Sequence, residues 1–337
     1  MPEALAYPTT AIARDRFVVE RRGSRPQHDP WRYQGVLVED ERSPDGEVVS
    51  IATIFLTGRE CPWRCAMCDL WKYTTITDTP PGAITSQLNA ARESLTDRPV
   101  AGVKLYNAGN FFDPRAVPES DYEGIAAALA GLSRVIVESH PALVGPRVDR
   151  FSGALVRQRV ADERPPRLEV AMGLETVHPE ALDLLNKRFT LEQFAASARA
   201  LEQRGIGLRV FLLISPPFVP AAEQDEWLRR SIEASIEYGA SAISLIPTRP
   251  GNGTLEALAA IGKFAQPDLN DVERSFALGL SHARGRARVV VDLWDLERFT
   301  HCPDCFAPRR DRLHAMNLQQ TILPRWVCPA RDRAAFQ

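Results

Sequence analysis

Three cysteines fall within eight residues: Cys61, Cys65 and Cys68, in the run Glu60-Cys61-Pro62-Trp63-Arg64-Cys65-Ala66-Met67-Cys68-Asp69. Thiolates are ligands for soft metals. Three of them this close cannot surround one tetrahedral ion without a fourth partner, and none lies nearby in sequence. They suit three irons of a cubane cluster, one sulfur each, with the fourth iron left open to a small molecule. Structural zinc usually shows paired C-x2-C units, which are absent around this triplet. A disulfide framework does not fit a 337-residue chain with six cysteines and no secretory signal.

A second group lies near the C-terminus: His301, Cys302, Cys305 and the distant Cys328. One C-x2-C pair, an adjacent His and a third Cys can close a Cys3His zinc site. The same thiolates can hold a second iron–sulfur cluster, and free thiols are the bland alternative. Arg309, Arg310, Arg312, Arg325, Arg331 and Arg333 make this tail basic, which suits an RNA phosphate backbone or simply solvated helix faces.

The elements that must position the first triplet alternate strand and helix. Residues 48–56 (VVSIATIFL) are apolar and β-branched between Gly46 and Gly58, so they read as a buried strand. That strand delivers the chain into the cysteine loop, which therefore follows a strand's C-terminal end, where parallel α/β barrels carry their chemistry. Further strands are expected at 103–106, 134–138, 168–172, 208–214 and 242–246, with a seventh at 288–293. Helices are expected between them. The one at 191–203 has Thr190 as N-cap, Gln193 in capping-box position and Gly205 past its end. Repeated strand–helix units predict right-handed connections and a mostly parallel sheet: an α/β fold, a partial (β/α)6 TIM-like barrel open on one side. Residues 1–46, basic at Arg14, Arg16, Arg21, Arg22 and Arg25, read as an irregular N-terminal extension. Residues 47–260 form the barrel and 261–337 a small cysteine-bearing appendage.

Bulk properties narrow the classes. A hydrophobic content of 45% supports a buried core, and a net charge of −2 argues against a globally basic nucleic-acid binder. No apolar run approaches the roughly 20 residues of a membrane span. The N-terminus, Met1-Pro2-Glu3-Ala4, lacks the basic-then-apolar order of a signal peptide, so a cytoplasmic protein is expected.

The C-x3-C-x2-C spacing resembles the signature of the radical S-adenosylmethionine (SAM) enzymes, and the likeness covers about residues 48–255. Within that superfamily the chain is most similar to the branch of the Elongator catalytic subunit and the methylthiotransferases, and more closely to the archaeosine-forming radical enzymes. Asn107-Ala108-Gly109-Asn110 with Phe111-Phe112-Asp113, Gly173-Leu174-Glu175-Thr176 and Leu212-Leu213-Ile214-Ser215-Pro216-Pro217-Phe218 carry this resemblance. The likeness implies a [4Fe–4S] cluster on Cys61, Cys65 and Cys68, with SAM chelated to the open iron. One electron would then break the S–C5′ bond, and a 5′-deoxyadenosyl radical would act on the substrate. By the same likeness Asn107, Ala108, Gly109 and Asn110 stand where the family has a Gly-Gly-Glu motif for the SAM amino group. Glu175, Ser215 and Met67 are further candidate SAM contacts, and so is Arg209, which lies in a strand and points either into the barrel or outward; turned inward it would pair with the SAM carboxylate or an acid such as Glu175. Two departures are visible: Asn110 replaces the usual acid, and Met67 replaces an aromatic near adenine, although a polarizable thioether still packs on a purine.

Glu138 and His140 end a strand and face the barrel mouth as further candidates. Thr248, Arg249 and Asn252 sit on the loop of the last barrel strand, where turn chemistry competes with ligand binding. The resemblance points to a modified nucleoside, carried in tRNA, as substrate and to flavodoxin or ferredoxin as reductant. A small molecule or peptide is the alternative substrate. A zinc-binding, non-catalytic barrel is the alternative of another class.

Overall fold

The computed structural model describes residues 6–107, 109–161 and 164–327. The chain runs α1 (Ala11–Glu20), β1 (Gly35–Arg42), β2 (Val48–Phe55), α2 (Ala83–Glu93), β3 (Gly102–Tyr106), α3 (Tyr122–Ala128), β4 (Arg134–Glu138), α4 (Pro146–Arg157) and β5 (Arg167–Glu175). It continues through α5 (Pro179–Leu184), α6 (Leu191–Glu202), β6 (Gly207–Ile214), α7 (Gln224–Glu237), β7 (Ala240–Pro247), α8 (Thr254–Ala260), α9 (Leu269–Ala283), β8 (Arg288–Val291) and α10 (Pro303–Gln319). One eight-stranded sheet follows sequence order from β1 to β8. Every neighbouring pair is parallel except β1 with β2. β2 to β7 are the six strands of the expected partial barrel.

The strands have two working faces, as period-two alternation requires. On β5, Leu168, Val170, Met172 and Leu174 join the core under the helices with Phe151, Phe194 and Phe276. The intervening Glu169, Ala171, Gly173 and Glu175 belong to the lumen side. The capping box at Thr190 forms as expected, with Gln193 N donating to Thr190 Oγ1 at 3.3 Å and Thr190 N to Gln193 Oε1 at 2.9 Å.

The expectation of an irregular N-terminal extension is corrected. α1 is capped by Thr10, and β1 pairs along its whole length with β2. The sequence Gly35-Val36-Leu37-Val38-Glu39-Asp40-Glu41-Arg42 hides this strand, because its lumen-facing positions are acids. The sheet therefore crosses both expected boundaries, taking β1 from residues 1–46 and β8 from 261–337.

Those acids face a buried floor at the N-terminal ends of the strands. Glu41 pairs with Lys104 (2.7 Å), Arg134 (2.9 Å) and Arg209 (2.5 Å), while Glu169 pairs with Arg209 (2.6 Å) and Arg134 (2.5 Å). At the far edge, α10 packs on both β8 and β1. Gln320, just past its end, exchanges two bonds of 2.8 Å with the Val289 backbone. Asn317 does the same with Val291 at 2.8 and 2.9 Å. Side-chain amides thus stand in for a missing strand on an exposed edge. Among the described residues no helix is long and apolar enough to cross a membrane.

Candidate active site

The cysteine loop leaves β2 with little regular structure, so its shape comes from what holds it. Glu60 N donates to Thr75 O and Thr75 N to Gly58 O, both at 2.9 Å. Across the mouth, Ala66 N donates to Leu185 O (3.0 Å), Asn186 Nδ2 to Arg64 O (2.8 Å) and Asn252 Nδ2 to Ala66 O (2.7 Å). Segments after β5 and after β7 therefore grip a loop that follows β2. Arg22 (2.7 Å), Arg64 (3.1 Å) and Arg25 converge on Glu60, next to Cys61. Burial alone would raise the Glu60 carboxyl; hydrogen bonds from Arg25 and Arg22 hold it below its ordinary value.

The three thiols are half-buried. Burial pushes the Cys61 thiol up to about 11 and those of Cys65 and Cys68 up to about 12, and each feels the charge of another. Among the described residues no group of three or more His, Cys, Asp or Glu is spaced to hold one metal ion. A cubane makes a different demand, one thiolate per iron, and metal binding draws the protons from such thiols.

A polar chain runs inward from Cys61. Asn110 Nδ2 donates to Cys61 Sγ at 3.1 Å, and Asn110 Oδ1 accepts from His140 N at 2.5 Å. The His140 ring bonds Lys187 O through Nε2 at 2.8 Å and stacks on Trp63 with centroids 3.7 Å apart. Burial first, and Lys187 second, hold His140 down at about 3, so the ring is neutral near pH 7. Lys187 Nζ in turn donates to Glu175 Oε1 at 2.5 Å. Burial alone would lower the lysine, but Glu175 and the nearby sulfurs hold it raised. Gly173 makes room for this pair: a Cβ there would lie 2.2 Å from Glu175 Oε1 and 2.5 Å from Lys187 Nζ. Glu175 has φ 68°, Asn186 60°, Arg188 61° and Ser215 55°. Each left-handed non-glycine residue costs about 1–3 kcal/mol, and such strain collects where side chains must be aimed.

Two groups in the mouth are left over. The Glu138 carboxylate has no hydrogen bond or ion pair among the described residues. Burial pushes it up to about 8, with Lys187 pulling down and Glu175 pushing up. Asn107 is fully buried, and among the described residues neither atom of its amide has a hydrogen-bond partner. A buried orphan of this kind costs about 1–3 kcal/mol, and a ligand is one partner that satisfies it. Three sulfurs, an unmet amide and a surplus carboxylate fit a cluster-bound cationic ligand such as SAM.

The structure brings Cys61, Cys65, Cys68, Asn107, Gly109, Asn110 and Glu175 to this mouth, and Ser215 to the end of β6. Gly109 lies against the loop, where a Cβ would meet Arg59 O at 3.1 Å. Ala108 falls outside the described residues. Met67 packs into a small apolar cluster with Ala66, Leu255, Leu258 and Phe264. Thr248, Arg249 and Asn252 use their side chains on Ile214 O, Asp292 and Ala66 O. Arg209 is corrected as a SAM contact: of its two possible directions it takes the inward one, but it lies third in β6 and is committed to Glu41 and Glu169. At about 3.3 Å per residue that leaves it roughly 17 Å below the strand's mouth end. Cys302 and Cys305 sit at the start of α10, Cys305 buried, with the exposed His301 beside them; Cys328 lies outside the described residues. Lys187 was missed in the sequence, because it sits in a short connection whose two left-handed neighbours are not glycines.

No model of a known protein family matches the sequence. Archaeosine synthase subunit beta from Methanosarcina acetivorans is 26% identical over 233 residues, which cover 66% of this chain and 65% of the relative. The chain thus spans just under two thirds of that relative's length. Coproporphyrinogen III oxidase from Escherichia coli, described as a radical SAM enzyme, gives a TM-score of 0.46 at 14% identity, covering 72% of this chain and 54% of that one. Streptococcus suis SuiB, solved bound to SAM, gives a TM-score of 0.50 at 13% identity, covering 78% of this chain and 56% of that one. The chain resembles the radical SAM enzymes in motif and in fold. The cysteine loop itself follows the C-terminal end of β2, the end of a parallel strand where α/β barrels carry their chemistry.

Proposed function

We propose that the chain is a radical SAM enzyme that holds a [4Fe–4S] cluster on Cys61, Cys65 and Cys68. The observation that carries this reading is the set of three half-buried thiols on one loop at the barrel mouth, beside an orphaned Asn107 amide. When bound, the cluster and SAM supply one-electron cleavage of the S–C5′ bond. The protein's own part is to bind, orient and exclude water. Asn110 donates to the Cys61 sulfur, which spreads its charge. Asn110 is thereby occupied, so the ammonium of SAM falls to the surplus carboxylate of Glu138. Lys187, already balanced by Glu175, keeps the mouth from accumulating negative charge. The neutral His140–Trp63 stack walls one side of the loop against solvent.

The substrate we propose is a nucleoside carried in tRNA; the similarity to archaeosine synthase subunit beta supports it. Reduction by flavodoxin or ferredoxin in the cytoplasm completes the reading. His301, Cys302, Cys305 and Cys328 are proposed as a second metal site, for zinc or another cluster.

Anaerobic reconstitution tests the class. About four irons per chain are expected, or about eight if the second group also takes a cluster. Reduction in the presence of SAM should release 5′-deoxyadenosine, and Cys65→Ala should abolish it. A colourless protein holding zinc alone would overturn the proposal.

A further inference from the structure

A second binding site is built far from the cysteines, on the outer helices. A cavity of about 320 Å³ is lined by Glu273, Arg274, Ala277, Arg312, Ile322 and Arg325. Three of its six lining residues are arginines and one is an acid. Arg309 takes most of that acid, donating to both Glu273 oxygens at 3.0 and 2.9 Å. Arg312 is packed against the same carboxylate at 3.5 Å, with its side chain only 8% exposed. That contact is made by Nη1, which is buried and, among the described residues, has no hydrogen bond beyond this long ion pair. Its other nitrogens hold the tail, through Leu323 O (2.6 Å) and Pro324 O (2.6 Å). Arg274 is held at the rim by Asp225 and Asp271. Arg325 makes no ion pair among the described residues. The cavity therefore keeps an excess of positive charge and an unmet guanidinium N–H.

We propose that this cavity binds a phosphate group, with Arg312 as the buried donor and Arg274 and Arg325 as the flanking ones. A tetrahedral oxyanion satisfies what the chain leaves open. It accepts from the Arg312 Nη1, and its charge offsets the positive charge left over once Glu273 has paired Arg309 and Arg312, and Asp225 and Asp271 have paired Arg274. Guanidinium forks match phosphate oxygens in geometry as well as charge. The site stands apart from the barrel mouth and does not depend on the cluster. The phosphate is either a free one, inorganic or on a nucleotide, or a diester of an RNA backbone.

Calorimetric titration of the full chain with inorganic phosphate, at low chloride, tests the site. Saturable binding in the millimolar range is expected. Arg325→Gln, which breaks no ion pair, should weaken it about fivefold, and Arg312→Gln about tenfold or more. Arg284→Gln, on the unrelated end of α9, should leave it unchanged. Because Arg312 also anchors the tail, a thermal melt of each variant separates misfolding from lost binding. No saturable phosphate binding, or wild-type affinity in both Arg325→Gln and Arg312→Gln, overturns the proposal. A second titration with a short unmodified RNA assigns the source. Displacement of phosphate by RNA, with a salt slope reduced by about one in Arg325→Gln, identifies a backbone diester. Phosphate binding that RNA does not displace identifies a free phosphate. Failure of cluster assembly would leave this result untouched.

Discussion

At the N-terminal end of the barrel, two carboxylates serve four cations: Glu41 and Glu169 against Lys104, Arg134, Arg209 and Arg288. At the C-terminal end, the single Lys187 pairs with Glu175 and leaves Glu138 without an ion pair among the described residues. The floor pairs both carboxylates with cations of the chain, leaving only single nitrogens of Arg134 and Arg288 without a hydrogen bond among the described residues. The mouth leaves an acid and an amide without partners and holds several residues in left-handed backbone. The same strands build both ends, so the difference is one of purpose. Charges that satisfy one another stabilise the closed end, and groups that do not are available to something else.

The largest test removes a floor acid. Glu169→Ala leaves Arg209 and Arg134 buried without their partner and should cost about 3–5 kcal/mol in urea melts. Cys65→Ala at the mouth should shift the metal-free protein by far less. If the two losses match, the contrast between the ends is broken.

The next test is a pH profile of stability. Burial alone would raise Glu41 and Glu169, but Arg209 and its neighbours outweigh it and hold both below their ordinary 4.5. Their contribution is complete above pH 4.5 and is lost as pH falls through the lowered values. Glu138 works the other way. Its folded carboxyl stands at about 8 against an ordinary 4.5, so stability falls as pH rises from 4.5 to 8 and levels above that. Glu138→Gln should flatten the upper limb and leave the acid limb alone.

A smaller effect has the opposite sign. Asn107→Leu removes an unsatisfied buried amide and should stabilise the metal-free protein by about 1 kcal/mol while reducing SAM binding. A plain loss of stability would mean that the amide is satisfied within the chain. The smallest test lies on neither end: Gln320→Ala frees the Val289 backbone to water and should cost about 1 kcal/mol.

Much of this contrast was legible in sequence only at the mouth. The cysteine spacing announces its chemistry, and apolar runs such as 208–214 mark strands whose outer face is core. β1 was hidden because Glu39 and Glu41 break its apolar run, and an acid on a lumen face looks the same as one in solvent until the floor is assembled. Arg209 shows the limit from the other side. Sequence left open whether it faces into the barrel or outward, and depth along the lumen depends on which strands lie opposite, which are distant in sequence. Lys187 depends on backbone angles that its neighbours' residue types do not advertise.

The seam between β8 and β1 is closed not by a ladder of main-chain pairs but by side chains: Asn317 and Gln320 bond β8, Arg42 of β1 donates to Leu318 O of α10, and Arg288 of β8 donates to Arg42 O. A cylinder laced all round by strand pairing admits guests only from its ends. This one is sealed on one side by a helix whose Leu313 and Met316 lie fully in the core, so the wall there is made of side chains and can vary without shifting any strand's register.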